Sequence, residues 1–347
     1  MSIDKILSRW LMVIMSLIVV IVVVGAITRL TNSGLSMPFW DIIDIFPPIS
    51  ESGWAEKFDE YKAFSRPDYE KQTLSQSGQM NLSKFKTIFW WEYIHRIIGR
   101  LIGMVALIPF LYFIYRKCLS KEQKINYLGI ILLIGMQGTV GWLMVKSGLN
   151  QEVYNQGGGV SPYWLLIHLS LAFITFCWTL YNYLKISYKA DINRTKIKFN
   201  PGKLIFIFMF VQILLGALMS GFKAAHFYDS FPLMNSQLIP DKIIFFKFDN
   251  IEFINFAHRW FAFVVVALIV GIYFKIKVKL SSKQKSIFVG LFYAIFFQIF
   301  LGILSLLNPV TPFDGKVDQI AIAALHQLGA IIILAICTVL AYNFSNK

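Results

Sequence analysis

Charge is scarce in this chain. Of its 347 residues only 15% are Asp, Glu, Lys or Arg, while 56% are hydrophobic and the mean hydropathy is +0.60, a balance that excludes the soluble globular class. Cysteine is nearly absent: Cys118 stands in a short basic segment, and Cys177 and Cys337 fall inside apolar runs. None lies where an oxidised pair would form, which excludes a structural disulfide framework. Acidic residues number 19 against 33 Lys and Arg, leaving a net charge of +14. This excess calls for no nucleic acid partner, because the basic residues gather in short segments between apolar runs, as they do beside anionic lipid.

Apolar runs are what the sequence has in abundance. Stretches long enough to cross a bilayer, about 20 residues each, lie at 10–30, 88–115, 125–145, 162–184, 204–221, 252–274, 286–307 and 321–343. They predict an all-α polytopic membrane protein with eight transmembrane helices. No small-residue cleavage site follows the first run, so it reads as a retained span and not as a signal peptide. The amino terminus, segments 116–124, 185–203 and 275–285, and the carboxyl tail hold 18 of the 33 basic residues; the much longer alternate segments hold 11. The positive-inside rule therefore places both termini in the cytoplasm. The longest outer segment, 31–87, contains "FPPISESGW" and "SQSGQ", and short amphipathic or irregular pieces are expected there.

An internal repeat organises the spans. "GAITRLTNSGLSMPFWD" returns as "GALMSGFKAAHFYDSFPLMN", "EYIHRIIGRLIGMVALIPF" as "NFAHRWFAFVVVALIV", "MQGTVGWLM" as "FQIFLGILS", and "LLIHLSLAF" as "AALHQLGAI". The chain thus reads as two tandem pseudo-symmetric four-helix bundles, residues 1–184 and 204–347, joined by a cytoplasmic linker at 185–203. An even number of spans per unit gives both units the same orientation, about an axis along the membrane normal.

Four of the five histidines occupy equivalent positions in this repeat: His95, His168, His258 and His326. Each follows its helix start by roughly six residues, about 9 Å below the outer surface at the helical rise. A single histidine in a span is ordinarily a hydrogen-bonded core residue. Four at one depth, two per bundle, instead suit axial ligation of a haem from both faces, with apolar neighbours supplying a low-dielectric sleeve. The pairs are His95 with His168 and His258 with His326. A structural zinc site fits less well, since no third thiolate or carboxylate ligand is evident. The fifth histidine, His226, reads as a solvated loop residue.

Other ionisable residues in spans are functional suspects because they are costly in lipid. Arg96 and Arg259 each follow a histidine, placed either to pair with haem propionates or to snorkel to the interface. Arg29 has Ser220 as its repeat counterpart, so as a propionate partner it would serve one pocket only. Gln137, Gln212 and Gln298 recur in small-residue contexts and read as helix-packing devices. Chemistry breaks the symmetry at one place: Glu92 precedes His95 by three residues, where Asn255 precedes His258. Positions i and i+3 share a helix face, so Glu92 is expected to point into the first pocket as a proton acceptor or water-orienting group. The alternative is a rim carboxylate paired with an arginine.

The motifs "TRLTNSGLSM", "EYIHRIIGR", "HLSLAF", "FPLMN", "NFAHRWFAF" and "LHQLGA", in this order over nearly the whole chain, resemble the haem A synthase family in its mitochondrial and alphaproteobacterial form. That resemblance implies oxidation of the C8 methyl of haem O to a formyl group, through an alcohol, giving haem A for cytochrome c oxidase. It implies a permanent haem b on His258 and His326, haem O as substrate between His95 and His168, and Glu92 as the acid needed for turnover. It further implies residence in a bacterial or mitochondrial inner membrane, haem O synthase and cytochrome c oxidase assembly factors as neighbours, and an unidentified electron acceptor. The cysteine pair that some relatives carry in an outer loop is missing, so no thiol role carries over. A di-haem b-type electron carrier is the rival reading, but it leaves the one-sided Glu92 unexplained. A tandem-repeat transporter would place charge at the bilayer midplane, whereas here it collects at the outer rim.

Overall fold

The computed structural model describes residues 2–39, 46–64, 80–149, 159–188, 199–311 and 315–344. Nine long helices carry these residues: α1 (Ile3–Leu30), α2 (Glu51–Phe64), α3 (Leu82–Tyr115), α4 (Lys121–Gly148), α5 (Pro162–Ser187), α6 (Pro201–Gly221), α7 (Ile251–Ile276), α8 (Ser282–Leu307) and α9 (Val317–Asn343). All but α2 are long and apolar enough to cross a membrane, as expected for an eight-span chain.

The helices begin where the sequence supplies caps. Asn81 accepts from the Lys84 amide at the head of α3, and Asn250 from the Phe253 amide at the head of α7. Ser120 with Gln123 and Ser281 with Gln284 form reciprocal capping boxes on α4 and α8. Each satisfies backbone donors that a helix start leaves open. The repeat therefore extends to the caps. Helix α3 starts six residues before its apolar run, and that polar extension carries α2. Trp54 and Tyr61 of α2 are buried with Phe85, Ile88 and Phe89 of α3 in a separate outer cluster, with the Trp54 and Phe89 rings edge to face at 5.0 Å.

Each half uses its helices in the same way. In the first, α1 packs on α3 and α5, and α4 on α5. In the second, α6 packs on α7 and α9, and α8 on α9. Between the halves α1 meets α9, and α5 meets both α6 and α9. One apolar core runs through all eight spans, from Leu7 and Ile14 in α1 to Leu334 and Leu340 in α9. Large apolar side chains such as Ile108, Leu132 and Phe296 remain exposed on the outside, where lipid covers them. Most of the expected linker, residues 189–198, lies outside the described residues.

Lipid supplies no hydrophobic drive for one apolar helix to join another, so close backbone approach must hold neighbouring helices together. Gly202 at the head of α6 is where this is tightest. A Cβ there would stand 2.4 Å from the Ala341 nitrogen of α9, and Asn200 donates to the Ala341 carbonyl at 2.8 Å. Gly202→Ala is expected to destabilise the protein by about 1–3 kcal/mol through overpacking. Thermal unfolding in detergent should show a lowered midpoint, whereas Gly271→Ala, with open space at its Cβ, should leave it unchanged or raised.

Candidate haem-binding site

Four contacts between glycine and histidine define the site. A Cβ built on Gly25 of α1 would lie 2.9 Å from His95 Cε1 on α3; on Gly141 of α4, 3.0 Å from His168 on α5. In the second half, Gly216 of α6 stands in the same relation to His258 of α7, and Gly302 of α8 to His326 of α9, both at 2.9 Å. Each imidazole lies flush against the backbone of the preceding span, in a space that any side chain would fill. In all four contacts Nε2 is the ring nitrogen farther from the glycine.

Glutamine repeats with the glycine in three of the four spans. Gln137, Gln212 and Gln298 precede Gly141, Gly216 and Gly302 by one helical turn, and each amide donates at 2.9 Å to the backbone carbonyl of the facing histidine. This confirms them as packing devices and makes that packing specific: they fix the turn that presents the imidazole. Helix α1 has Ile21 at this position, packed towards Gly99 of α3. His326 Nδ1 lies 3.2 Å from the Gln298 carbonyl, which suits a protonated Nδ1 and leaves Nε2 as the basic nitrogen.

The imidazoles of His95 and His168 are near enough to interact electrostatically, as are those of His258 and His326. The second pair lines a cavity of about 320 Å³ whose deeper walls include Phe173, Met209, Val265, Ile299 and Ile333. Two facing imidazoles, apolar walls and glycines that keep the rings pressed back fit a haem iron held from both sides. Among the described residues no group of three or more His, Cys, Asp or Glu side chains is placed to share one ion.

At the rim Glu92 takes the second of its two expected arrangements, a carboxylate paired with an arginine. Glu92 is buried, but its carboxylate is held by an outer segment: Oε2 accepts from Ser36 Oγ at 2.7 Å and from the Met37 amide at 2.9 Å, and Oε1 pairs with Arg96. Arg96 also donates to the Met37 and Phe39 carbonyls. In the second half Asn255 donates to the Ala224 carbonyl at 2.9 Å, and Arg259 to the carbonyls of Tyr228 and Ser230. Both arginines thus tie the loop that follows the preceding span across their own helix end. Arg259 in addition borders the cavity, together with Arg29, Lys223 and His226. His226 is exposed, as expected of a solvated loop residue, and it also lines the cavity. The four glycines and Lys223 escaped the sequence reading; the recurring spacing of Gln and Gly was the available signal for three of the glycines.

This fold and these sites define a class: eight-span helical membrane proteins with two histidine pairs beneath one rim. Residues 8–338 match the cytochrome oxidase assembly protein family. The chain is 37% identical to the heme A synthase of Flavobacterium psychrophilum over 99% of both chains, and 35% identical to that of Nitrosospira multiformis over 96% of this chain and 91% of the other. With the heme A synthase of Bradyrhizobium diazoefficiens it shares 36% identity over 97% and 91%. The chain belongs to the haem A synthase family, and its function is haem A synthesis.

Glu92→Gln keeps one acceptor oxygen and sets its amide hydrogens either against the Arg96 guanidinium or against the Met37 N–H and Ser36 hydroxyl, with the charge lost in both cases. Losing a charge-assisted acceptor in a buried position costs about 1.5–3 kcal/mol. Hydrogen exchange at the Met37 amide is therefore expected to accelerate roughly tenfold or more, while amides in the interior of α4 keep their rates.

Proposed function

We propose that the chain oxidises the C8 methyl of haem O to a formyl group, through an alcohol, with the first site for the substrate and the second for a permanent haem b. The observation that carries this division is the asymmetry of otherwise matching sites: a buried carboxylate, Glu92, beside His95, and an amide, Asn255, beside His258. His95 and His168 take the substrate iron from its two faces. His258 and His326 hold haem b, which when bound supplies one-electron redox chemistry inside the bilayer.

The chain's own residues do the rest. Gly25 and Gly141 set the two imidazoles against helix backbone, so the rings have no room to swing away from the ligand. Apolar walls keep bulk water from the reacting edge, and the outer segment pinned by Glu92 and Arg96 closes the site towards the aqueous side. Haem O carries an apolar tail and enters from the membrane. Glu92 accepts a proton or orients water as the methyl group is oxidised; a carboxylate with donors on both oxygens is held in place for that task. The electron acceptor is a separate partner, and haem O synthase and cytochrome c oxidase assembly factors are the neighbours that this chemistry calls for. The membrane is a bacterial or mitochondrial inner membrane with both termini on the cytoplasmic or matrix side. Cysteines introduced singly at Asp241 and Lys283 test that orientation: an impermeant thiol reagent added from outside should label the first and spare the second.

Haem extracted from the purified protein, with and without co-expressed haem O synthase, tests the assignment. The expected extract contains haem b in both cases and haem O with haem A only when the synthase is present. An extract holding haem b alone in both would mark an electron carrier. Glu92→Gln is expected to keep haem b and abolish haem A. Ser36→Ala, which loosens the same loop but leaves the carboxylate, should lower haem A by much less; equal losses would reduce Glu92 to a loop anchor.

A further inference from the structure

The outer segment between α6 and α7 ends in "IIFFKF", residues 243–248, just before α7 begins. Ile244, Phe245 and Phe248 are exposed, and Phe246 is 80% exposed. These side chains lie outside the apolar runs of the spans, and a contiguous apolar patch in such a place marks a contact surface. The backbone beneath the patch is fixed. Asn250 Oδ1 accepts from the Ile244 amide at 3.1 Å and from the Phe253 amide at 2.9 Å, while its Nδ2 donates to the Lys242 carbonyl at 3.3 Å. Phe246 has a φ of 63°, in the left-handed region that is costly for a bulky side chain, and its ring is the most exposed of the four.

The depth of the patch follows from α7. A hydrocarbon layer of about 30 Å takes about 20 helical residues. Counted back from Lys275 in the last turn of α7, that length reaches Asn255 and Phe256. The Phe245 ring lies edge to face on Phe256 at 5.8 Å and on Phe253 at 6.2 Å, and Phe246 and Phe248 also meet the Phe253 ring. From Phe256 the row of rings continues to Trp260 at 6.1 Å and from there to Phe263 at 5.7 Å, both exposed on the outside of the span. The patch is thus the upper end of a surface that lipid already covers, at the boundary where aromatic rings concentrate. Asp241 and Asp249 balance Lys242 and Lys247 around it, so attraction comes from apolar burial and selects neither an acidic nor a basic partner.

We propose that residues 243–248 are an interfacial anchor, with the rings of Phe245, Phe246 and Phe248 seated in the lipid leaflet at the outer rim, at the boundary of headgroups and acyl chains. The same outer segment carries Tyr228 and Ser230, whose carbonyls Arg259 holds, and Phe231, which lines the second cavity. The cover of that cavity is therefore fastened at one end to α7 and at the other to lipid. The first half meets the same need with protein: Trp54 and Tyr61 of α2 are buried against α3.

The test places a nitroxide label on Phe246→Cys and, separately, on Lys242→Cys, each in the full chain with Cys118→Ser, in nanodiscs of phosphatidylcholine. Power saturation against oxygen, which concentrates in lipid, and against a water-soluble nickel chelate reads the depth of each label. The label at 246 is expected about 5–10 Å below the phosphates, open to oxygen and protected from nickel, whereas the label at 242 is open to nickel. Replacing part of the phosphatidylcholine with phosphatidylglycerol should change neither reading. A label at 246 as open to nickel as the one at 242 would overturn the anchor, because the tip would then stand in water. Shielding from both reagents would overturn it in favour of a protein cover, and a depth reached only with phosphatidylglycerol would overturn its apolar basis. Should Phe246→Cys fail to fold, Phe248→Cys gives the same reading.

Discussion

Everything in this protein is arranged around the close approach of an imidazole to a neighbouring helix backbone. A histidine in a span must either find hydrogen-bond partners or be turned towards a ligand, because hydrocarbon offers it nothing. Placing glycine on the facing helix lets the ring lie against the backbone, which removes rotamers that would fold it away from the bundle interior. The same contact sets the spacing between the two helices, so ligand placement and helix packing are a single constraint. Repeating it four times, at Gly25, Gly141, Gly216 and Gly302, produces two sites from one device.

The rim follows from that constraint. A site about 9 Å below the surface at the helical rise needs a cover, and the segments after α1 and α6 supply it. Their backbone carbonyls would be poorly satisfied so near the apolar core. Arg96 and Arg259 meet that need, each with a planar fork that serves several carbonyls at once. Glu92 and Asn255 complete the tether from one turn earlier on each helix, the first accepting from its segment and the second donating to it. The residues that look like intramembrane charges are thus in large part the fastening of two covers.

The spans and the equivalent placing of four histidines were legible in the sequence because each has a long-range signature: hydropathy over a bilayer length, and equivalent residues in equivalent contexts. The starts of α1 and α3 were missed by several residues, since polar turns such as "IDKILSR" and "LSKFKTI" continue a helix without continuing its hydropathy. The glycines were visible but not distinguishable from the many glycines that membrane helices tolerate, until the helix facing each one was known. The direction of Glu92 illustrates a different limit. Helical spacing puts it on the face of His95, but the same spacing puts Arg96 one turn ahead, and donors arriving from Ser36 and Met37 decide which way the carboxylate turns. Contacts between segments more than fifty residues apart carry no local signal.

Helix α1 shows why the two halves do not act as independent copies. Within two turns it presents Gly25 to the His95 imidazole of the first site, the Val22 carbonyl to the Gln327 amide beside His326 at 3.2 Å, and Arg29 to the mouth of the second cavity. A shift of α1 that loosened one site would therefore move a partner of the other. Its counterpart α6 has Ser220 where α1 has Arg29, and uses that residue's carbonyl to receive the guanidinium. The repeat has thus been broken on matching residues to make one contact across the interface.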